Sequence, residues 1–334
     1  MRIGVAISGG VDSALTAFLL KESGAEVVGY TMLLTDDGDT ARAASVAEKL
    51  EIKHVVVDLR ERFERDVLSY FASEYAAGRT PSPCCRCNPL IKFGALWEQM
   101  ASDGCEKMAT GHYARLVLNN GRIELHKAVD LTKDQSYFLS RLTQNDFSHV
   151  FFPLGDMRKS DVKARAEELG LVPQEQRESQ DLCFVANGGH ADFVLARFPE
   201  LKRKGDIVDA SGKKLGEHDG AFQYTIGQRR GLGLGGGPWY VTGVDVPRNR
   251  VVIGHADDMK CRSVRVRSLN WLGDNSDALE VRLRYQMRPL PSRITQIDDD
   301  FWSIDFSDDA PRVPAGQLAV AYNGDAVVAS GWIC

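Results

Sequence analysis

The chain has 334 residues and lacks any apolar run approaching the roughly 18 residues that a membrane span needs. Its first twenty residues do not read as an export signal, because Ser8-Gly9-Gly10-Val11-Asp12-Ser13 breaks the apolar stretch with polar and charged groups. Positive charge is not in surplus. A net charge of -5 and a pI near 5.9 exclude a protein that coats nucleic acid nonspecifically, so a polyanionic partner has to be held by local basic patches. There is no internal repeat and no long low-complexity segment. Wholesale disorder is excluded by 43% hydrophobic and 26% charged residues. Seven cysteines without an export signal point to the reducing cytoplasm, where clustered thiols serve metal or sulfur chemistry.

What is present is strand–helix alternation. Arg2 to Ile7, Ala25 to Leu34, His54 to Leu59 and Lys107 to Thr110 read as strands. Between them, helical patterns follow the glycine turn at Ala14-Leu15 and Phe18-Leu19, cover Ala41 to Leu50 and Arg60 to Ala76, and begin again near Leu90. Such alternation predicts a mostly parallel, Rossmann-like sheet that binds ligands at the carboxyl ends of its strands. From about Phe198 the texture becomes glycine-rich and basic, with Lys202-Arg203-Lys204, Lys213-Lys214 and Arg229-Arg230. From Cys261 onward, short β-like stretches broken by turns predict a small antiparallel barrel or sandwich. The expected organisation is an α/β catalytic domain over 1–197, a small central domain over 198–260 and a C-terminal β-barrel over 261–334.

The segment Ser8–Ser13 lies between a predicted strand and a predicted helix. Two glycines let backbone approach an anion, the opening N–H groups of the helix point toward it, and Asp12 can hold magnesium. A Walker loop would end in Gly-Lys-Ser/Thr, and that lysine is missing. The loop resembles the SGGxDS signature of the PP-loop ATP pyrophosphatases, which implies cleavage of ATP to AMP and pyrophosphate.

Cys84, Cys85 and Cys87 cluster in Gly78–Asn88, a stretch of turn-formers ahead of the helix expected near Leu90. A helix N-terminus and Arg86 would favour thiolate there. Cys183 follows the acidic-polar Glu178-Ser179-Gln180-Asp181, whereas Cys105, Cys261 and Cys334 have no comparable setting. The pair Cys84 and Cys87 admits three readings: structural zinc, for which a second ligand pair is missing, a redox or sulfur-transfer pair, or part of an iron–sulfur site.

From residue 2 to the C-terminus the chain resembles the bacterial tRNA-specific 2-thiouridylases. The stretches that carry the resemblance are Ser8–Ser13, Gly78–Phe93, Ala109–Tyr113, Lys133–Leu139, Pro153–Gly155, Leu182–Phe184, His218–Gly220, Thr225–Leu232 and Pro314–Gln317. The resemblance implies ATP-dependent 2-thiolation of the wobble uridine of tRNA. The C2 oxygen is adenylated, and sulfur from a cysteine desulfurase, received directly or through a carrier protein, replaces it. Cys183 would carry the persulfide and Cys87 would release its sulfur, with a disulfide between them as by-product. Ala6, Ile7, Ser8, Gly9, Gly10, Val11, Asp12 and Ser13, with Met32 and Gly111, would hold ATP. Ser82, Pro83 and Cys84 would face the target base, and His112, Lys133, Asp134, Gln135, Arg284, Tyr285 and Gln317 the tRNA. One departure stands out: Cys84 occupies a position where the family's commoner residue is Asp. Related thiolases with Cys-x-x-Cys and a third cysteine carry a [4Fe-4S] cluster, so Cys84, Cys87 and Cys183 form an alternative cluster triad. Rival readings are a PP-loop ligase or amidotransferase acting on a small substrate, and a non-catalytic protein that binds tRNA or an iron–sulfur cluster.

Overall fold

The computed structural model describes residues 1–171, 182–185, 189–276 and 278–334. Contacts group the chain into two units. The first is Met1–Val67 with Cys84–Gln180 and Gly324–Val327; the second is Leu68–Pro83 with Asp181–Asn323 and Val328–Cys334.

In the first unit, β1 (Arg2–Ala6), β2 (Glu26–Leu33), β3 (Lys53–Asp58) and β4 (Lys107–Ala109) alternate with helices. A hairpin follows, β5 (Ala114–Asn119) with β6 (Arg122–Lys127), and then the short β7 (Val150–Phe151). The sheet order is β3-β2-β1-β4-β7 and every pairing is parallel. Ile3 and Val5 are almost fully buried, and Val27 to Thr31 form an unbroken buried run, as expected for strands covered on both faces. Helix Val11–Glu22 packs Ala14, Leu15 and Ala17 into the same core, together with Leu154, Val162 and Ala166. Chain order runs outward from β1 to β3 on one side and resumes at β4 on the other, so the switch point lies between β1 and β4. The hairpin is clasped by Gly324–Val327: Ala326 pairs with His126, Lys127 Nζ donates to the Gly324 carbonyl at 2.7 Å, and Arg115 binds Asp325 at 3.0 Å.

The cysteine segment departs from expectation. A helix begins at Pro83, not near Leu90, and runs as α over Pro83–Cys87, π over Asn88–Leu96 and α over Trp97–Ser102. Pro89 gives the reason. A proline inside a helix lacks the N–H that an α turn uses and crowds the carbonyl four residues back, and a wider π turn accommodates it. The three cysteines therefore occupy the first turns of the helix and do not precede it.

The second unit holds two sheets. β8 (Gly205–Val208), β9 (Lys214–His218), β10 (Tyr240–Asp245) and β11 (Arg250–Gly254) form a sheet in the order β10-β11-β8-β9, around Ile207, Phe222, Val241, Val251 and Ile253. Next come β12 (Lys260–Trp271), β13 (Leu279–Arg282), β14 (Leu290–Gln296), β15 (Phe301–Pro311), β16 (Leu318–Asn323) and β17 (Ala326–Ile333). Their order is β12-β15-β14-β13-β16-β17, and β17 returns to β12, closing a six-stranded antiparallel barrel. Val266, Val281, Ile294, Ile304 and Phe306 fill it, alternating with outward polar residues. No helix among the described residues is long and apolar enough to cross a membrane.

Gly155 shows how tightly the first unit is built. A Cβ there would lie 2.0 Å from the Ala114 carbonyl oxygen, and the Gly155 carbonyl accepts from Val129 N at 3.0 Å. Because backbone cannot yield as a side-chain tip does, Gly155→Ala should destabilise the chain by about 3 kcal/mol. A lowered urea midpoint with bound-ligand effects excluded checks this; an unchanged midpoint would contradict the packing.

Candidate active site

The loop after β1 lies at the sheet's switch point. Ala6 ends the strand, and Ile7 N donates to the Tyr30 carbonyl at 2.8 Å. The turn then closes on itself. Ser8 N donates to Ser13 Oγ at 3.1 Å, Ser13 Oγ donates to the Gly10 carbonyl at 3.0 Å, and Ala14 N reaches the same carbonyl at 3.0 Å. Gly9 has φ +77°, and a Cβ on it would lie 2.6 Å from Arg42 Cβ, so glycine is required on both counts. Gly10 is the N-cap of helix Val11–Glu22 without a side-chain cap, which leaves the first helical N–H groups directed at the space above the loop.

Gly111, in the loop after β4, approaches the same turn from the other side. A Cβ on it would lie 2.9 Å from both the Asp12 carbonyl carbon and Asp12 Cβ, and 3.0 Å from Ser13 N. Met32, half-buried at the carboxyl end of β2, is in register with Val57. The structure thus brings Ala6–Ser13, Met32 and Gly111 to one end of one sheet.

Sequence reasoning missed three residues here: Tyr113, Lys159 and Lys92. Tyr113 OH donates to Asp12 Oδ1 at 2.7 Å, and Lys159 Nζ contacts both Asp12 oxygens at 2.7 and 2.8 Å. Lys159 opens helix Lys159–Glu168, 147 residues beyond its partner, so no local spacing could have announced the pair. Gln135 clasps Tyr113 at two points: Tyr113 N donates to Gln135 Oε1 at 2.9 Å, and Gln135 N to the Tyr113 carbonyl at 2.8 Å. Asp134 is buried and accepts from Ala128 N, Ser136 N and Ser136 Oγ, which holds the 133–135 loop in shape. Lys133 is half-buried, with its N–H on the Asp130 carbonyl.

Lys92 stands in the π segment of the cysteine helix. It donates to His112 Nε2 at 3.4 Å, while His112 Nδ1 pairs with Thr110 Oγ1 at 2.7 Å. A cation donating at Nε2 leaves the ring proton on Nδ1, so Nδ1–H donates to Thr110. Burial, aided by the Lys92 charge, drives the His112 pKa well below the usual value. Lys92 also acts on Cys84, the exposed thiol of the first turn. There desolvation by surrounding protein raises the pKa and the Lys92 charge opposes it. The expected thiolate preference is therefore reversed at Cys84: loss of hydration outweighs the lysine. Cys85 is buried and Cys87 half-buried. Asn88 Nδ2 donates to the Phe138 carbonyl at 2.9 Å, tying this helix to the segment after the 133–135 loop.

The remaining candidates belong to the second unit. Ser82 and Pro83 are buried, and Gln317 Nε2 donates to the Thr80 carbonyl at 2.8 Å and the Pro81 carbonyl at 3.3 Å just before them. Arg79 makes a two-point pair with buried Glu74 at 2.8 and 2.5 Å. Thr80 Oγ1 meets Thr225 Oγ1, and Arg284 Nη2 donates to the Ile226 carbonyl at 3.0 Å, so the 225–232 motif, the 79–82 segment and the 314–317 turn converge. Tyr285 is half-buried beside Arg284. Cys183 is exposed, and its neighbour Phe184 packs edge-on against Phe71 with centroids 5.0 Å apart. The acidic-polar stretch Glu178–Asp181 lies outside the described residues. Among the described residues, no three His, Cys, Asp or Glu side chains stand close enough together to hold a metal ion.

The His112 environment has a measurable consequence. In an NMR pH titration its ring should stay neutral, as the Nδ1–H tautomer, while an ordinary histidine charges near pH 6.5. Its folded-state pKa lies below the unfolded one, so its contribution to stability is present above about pH 6.5 and lost as the pH falls through the folded value. Lys92→Met should move the titration upward; an unchanged His112 curve would show that the lysine does not act on it.

Comparison with known proteins covers the whole chain. Residues 1–187 match the model of the tRNA methyl transferase HUP domain, 191–255 the tRNA methyl transferase PRC-barrel domain, and 261–333 the aminomethyltransferase beta-barrel domain. The tRNA-specific 2-thiouridylase MnmA of Zymomonas mobilis is 40% identical over 348 residues, covering 99% of this chain and 93% of that protein. Those of Geotalea uraniireducens and Rhodospirillum centenum are each 41% identical, covering 99% of this chain and 94% and 91% of theirs. With identity at this level along nearly its whole length, the chain belongs to the family of the tRNA-specific 2-thiouridylases.

Proposed function

We propose that this chain is a cytoplasmic enzyme that uses ATP to replace the C2 oxygen of a tRNA wobble uridine with sulfur. The observation that carries the reading is the Ser8–Ser13 turn, opened by two glycines, backed by Gly111 and set at the switch point of a parallel sheet. Family membership supplies the substrate class. A pyrimidine carbonyl oxygen is a very poor leaving group until it is esterified to phosphate. The C2 oxygen attacks the α-phosphate and pyrophosphate departs. The terminal sulfur of a persulfide on Cys183 then attacks C2, and AMP leaves with the oxygen. Cys87 thiolate attacks Cys183 Sγ, the sulfur–sulfur bond breaks, and the 2-thio group remains on the base. Two thiols are thereby oxidised to a disulfide as the transferred sulfur is reduced to the sulfide level. An outside cysteine desulfurase, directly or through a carrier, supplies the persulfide, and a thiol reductant reopens the disulfide.

In this reading Ala6–Ser13, Met32 and Gly111 hold ATP, and the Asp12 carboxylate, which already accepts from Tyr113 and Lys159, has a lone pair left that would hold magnesium brought with the phosphates. That ion would neutralise phosphate charge. Ser82, Pro83 and Cys84 face the base. His112, Lys133, Gln135, Arg284, Tyr285 and Gln317 border the tRNA, and Asp134 holds the loop between them. Exposed Lys202, Lys204, Arg229 and Arg230 are the local basic groups that an acidic protein needs for a polyanion. A [4Fe-4S] cluster on Cys84, Cys87 and Cys183 is the alternative route; these three thiolates would hold it, and it would supply an open iron for sulfide.

The reaction is tested by its products. With tRNA and magnesium, labelled ATP should yield AMP and pyrophosphate; ADP alone, or methyl transfer without ATP cleavage, would overturn the assignment. Asp12→Asn should slow the reaction strongly, because an amide is a poor magnesium ligand.

Cys84 decides the sulfur route. Cys84→Asp should retain thiolation, measured by mass spectrometry of tRNA nucleosides, while Cys87→Ser and Cys183→Ser abolish it. If anaerobically purified protein instead contains about four irons per chain, and Cys84→Asp loses iron and thiolation together, the cluster route replaces the persulfide route.

A further inference from the structure

The glycine turn has no lysine of its own, yet a lysine stands beside it. Lys159 Nζ spans both Asp12 oxygens, and its side chain is 12% exposed against 34% for Asp12. The ammonium also lies 5.6 Å from the Tyr113 ring centroid, while the Tyr113 hydroxyl donates to Asp12 Oδ1 at 2.7 Å. The backbone of Lys159 is fixed by its N–H on Asp130 Oδ2 at 3.0 Å. The backbone of Tyr113 is fixed by the two-point clasp of Gln135.

We propose that Lys159 and Tyr113 are positioning residues for Asp12, Lys159 neutralising the carboxylate at the mouth of the phosphate loop and Tyr113 tethering it to the 133–135 loop. This rests on the reading that the loop binds ATP. A bare carboxylate there would oppose a triphosphate across a few ångströms of partly desolvated space. Pairing with Lys159 brings the local charge to zero, so the first-turn N–H groups act on the phosphates without an opposing field. Tyr113 does not touch the nucleotide in this scheme. It sets the angle of the carboxylate, and because Gln135 grips it on both sides, a ligand seated on the 133–135 loop and the anion site share one hydrogen-bonded path.

Charge arithmetic makes the proposal testable by binding alone. ATP is titrated into the full-length protein in magnesium-free buffer containing EDTA, and each variant's melting temperature is recorded to confirm folding. Lys159→Met leaves the carboxylate uncompensated and should weaken ATP about tenfold. Adding Asp12→Asn to Lys159→Met restores local neutrality and should recover most of that loss, an effect that a merely structural lysine would not produce. Lys159→Arg, which keeps the charge, should bind within about threefold of the unsubstituted chain. Tyr113→Phe should weaken ATP about threefold, but change it less than about twofold when Asp12 is already Asn. If Lys159→Met weakens ATP as much in the Asp12→Asn background as it does alone, or if Tyr113→Phe costs as much in that background, the positioning role is overturned while ATP binding stands. Absence of ATP binding by the unsubstituted chain would overturn the proposed function, and this inference with it.

Discussion

The first unit depends on two stretches of backbone approaching more closely than any side chain permits. Gly111 lies against Asp12 and Ser13 at distances that a Cβ could not occupy, and Gly9 is similarly closed in by Arg42. This contact fixes the separation between the loop after β1 and the loop after β4. From that separation follow the reach of Tyr113 to Asp12, the burial of His112 and the clasp of Gln135. Glycine loses more conformational freedom on folding than other residues, so such positions are costly and are kept where a ligand needs bare backbone.

Around that contact the polar groups are held in set states. Asp12 is matched by Lys159, and Asp134 by backbone and hydroxyl donors. His112 is kept neutral by burial and a neighbouring cation. Buried polar groups with complete partnerships rigidify their surroundings and resist titration. Cys84 differs: the residue is exposed, yet desolvation raises the pKa of its thiol while the Lys92 charge opposes the rise.

Local features were legible in the sequence. The β1 strand, the glycine turn and the helix after it could be read from Arg2 to Glu22, because periodicity and turn chemistry are short-range signals. The closing barrel was visible as short β-like stretches broken by turns from Cys261 onward. The hairpin of β5 and β6 was missed although Asn120-Gly121 at its turn is a hairpin signal, and the four short central strands were missed as well. The cysteine helix was expected near Leu90, whereas it begins at Pro83 and passes Pro89 in a π turn. The site's third dimension was not legible. Lys159 meets Asp12 and Gln317 meets Thr80 across 147 and 237 residues, and no pattern of neighbours encodes such pairings.

The clasp on the β5–β6 hairpin has a temporal consequence. The first unit includes Gly324–Val327, while the second includes Leu68–Pro83, so each unit borrows a segment from the opposite end of the chain. During synthesis the early-made helix Ser69–Ala76 must wait for partners more than a hundred residues downstream. The hairpin, in turn, waits for Asp325, 210 residues after Arg115, before that pair can form. Gene fragments cut at the apparent module boundaries would release polypeptides with an orphaned segment at one end.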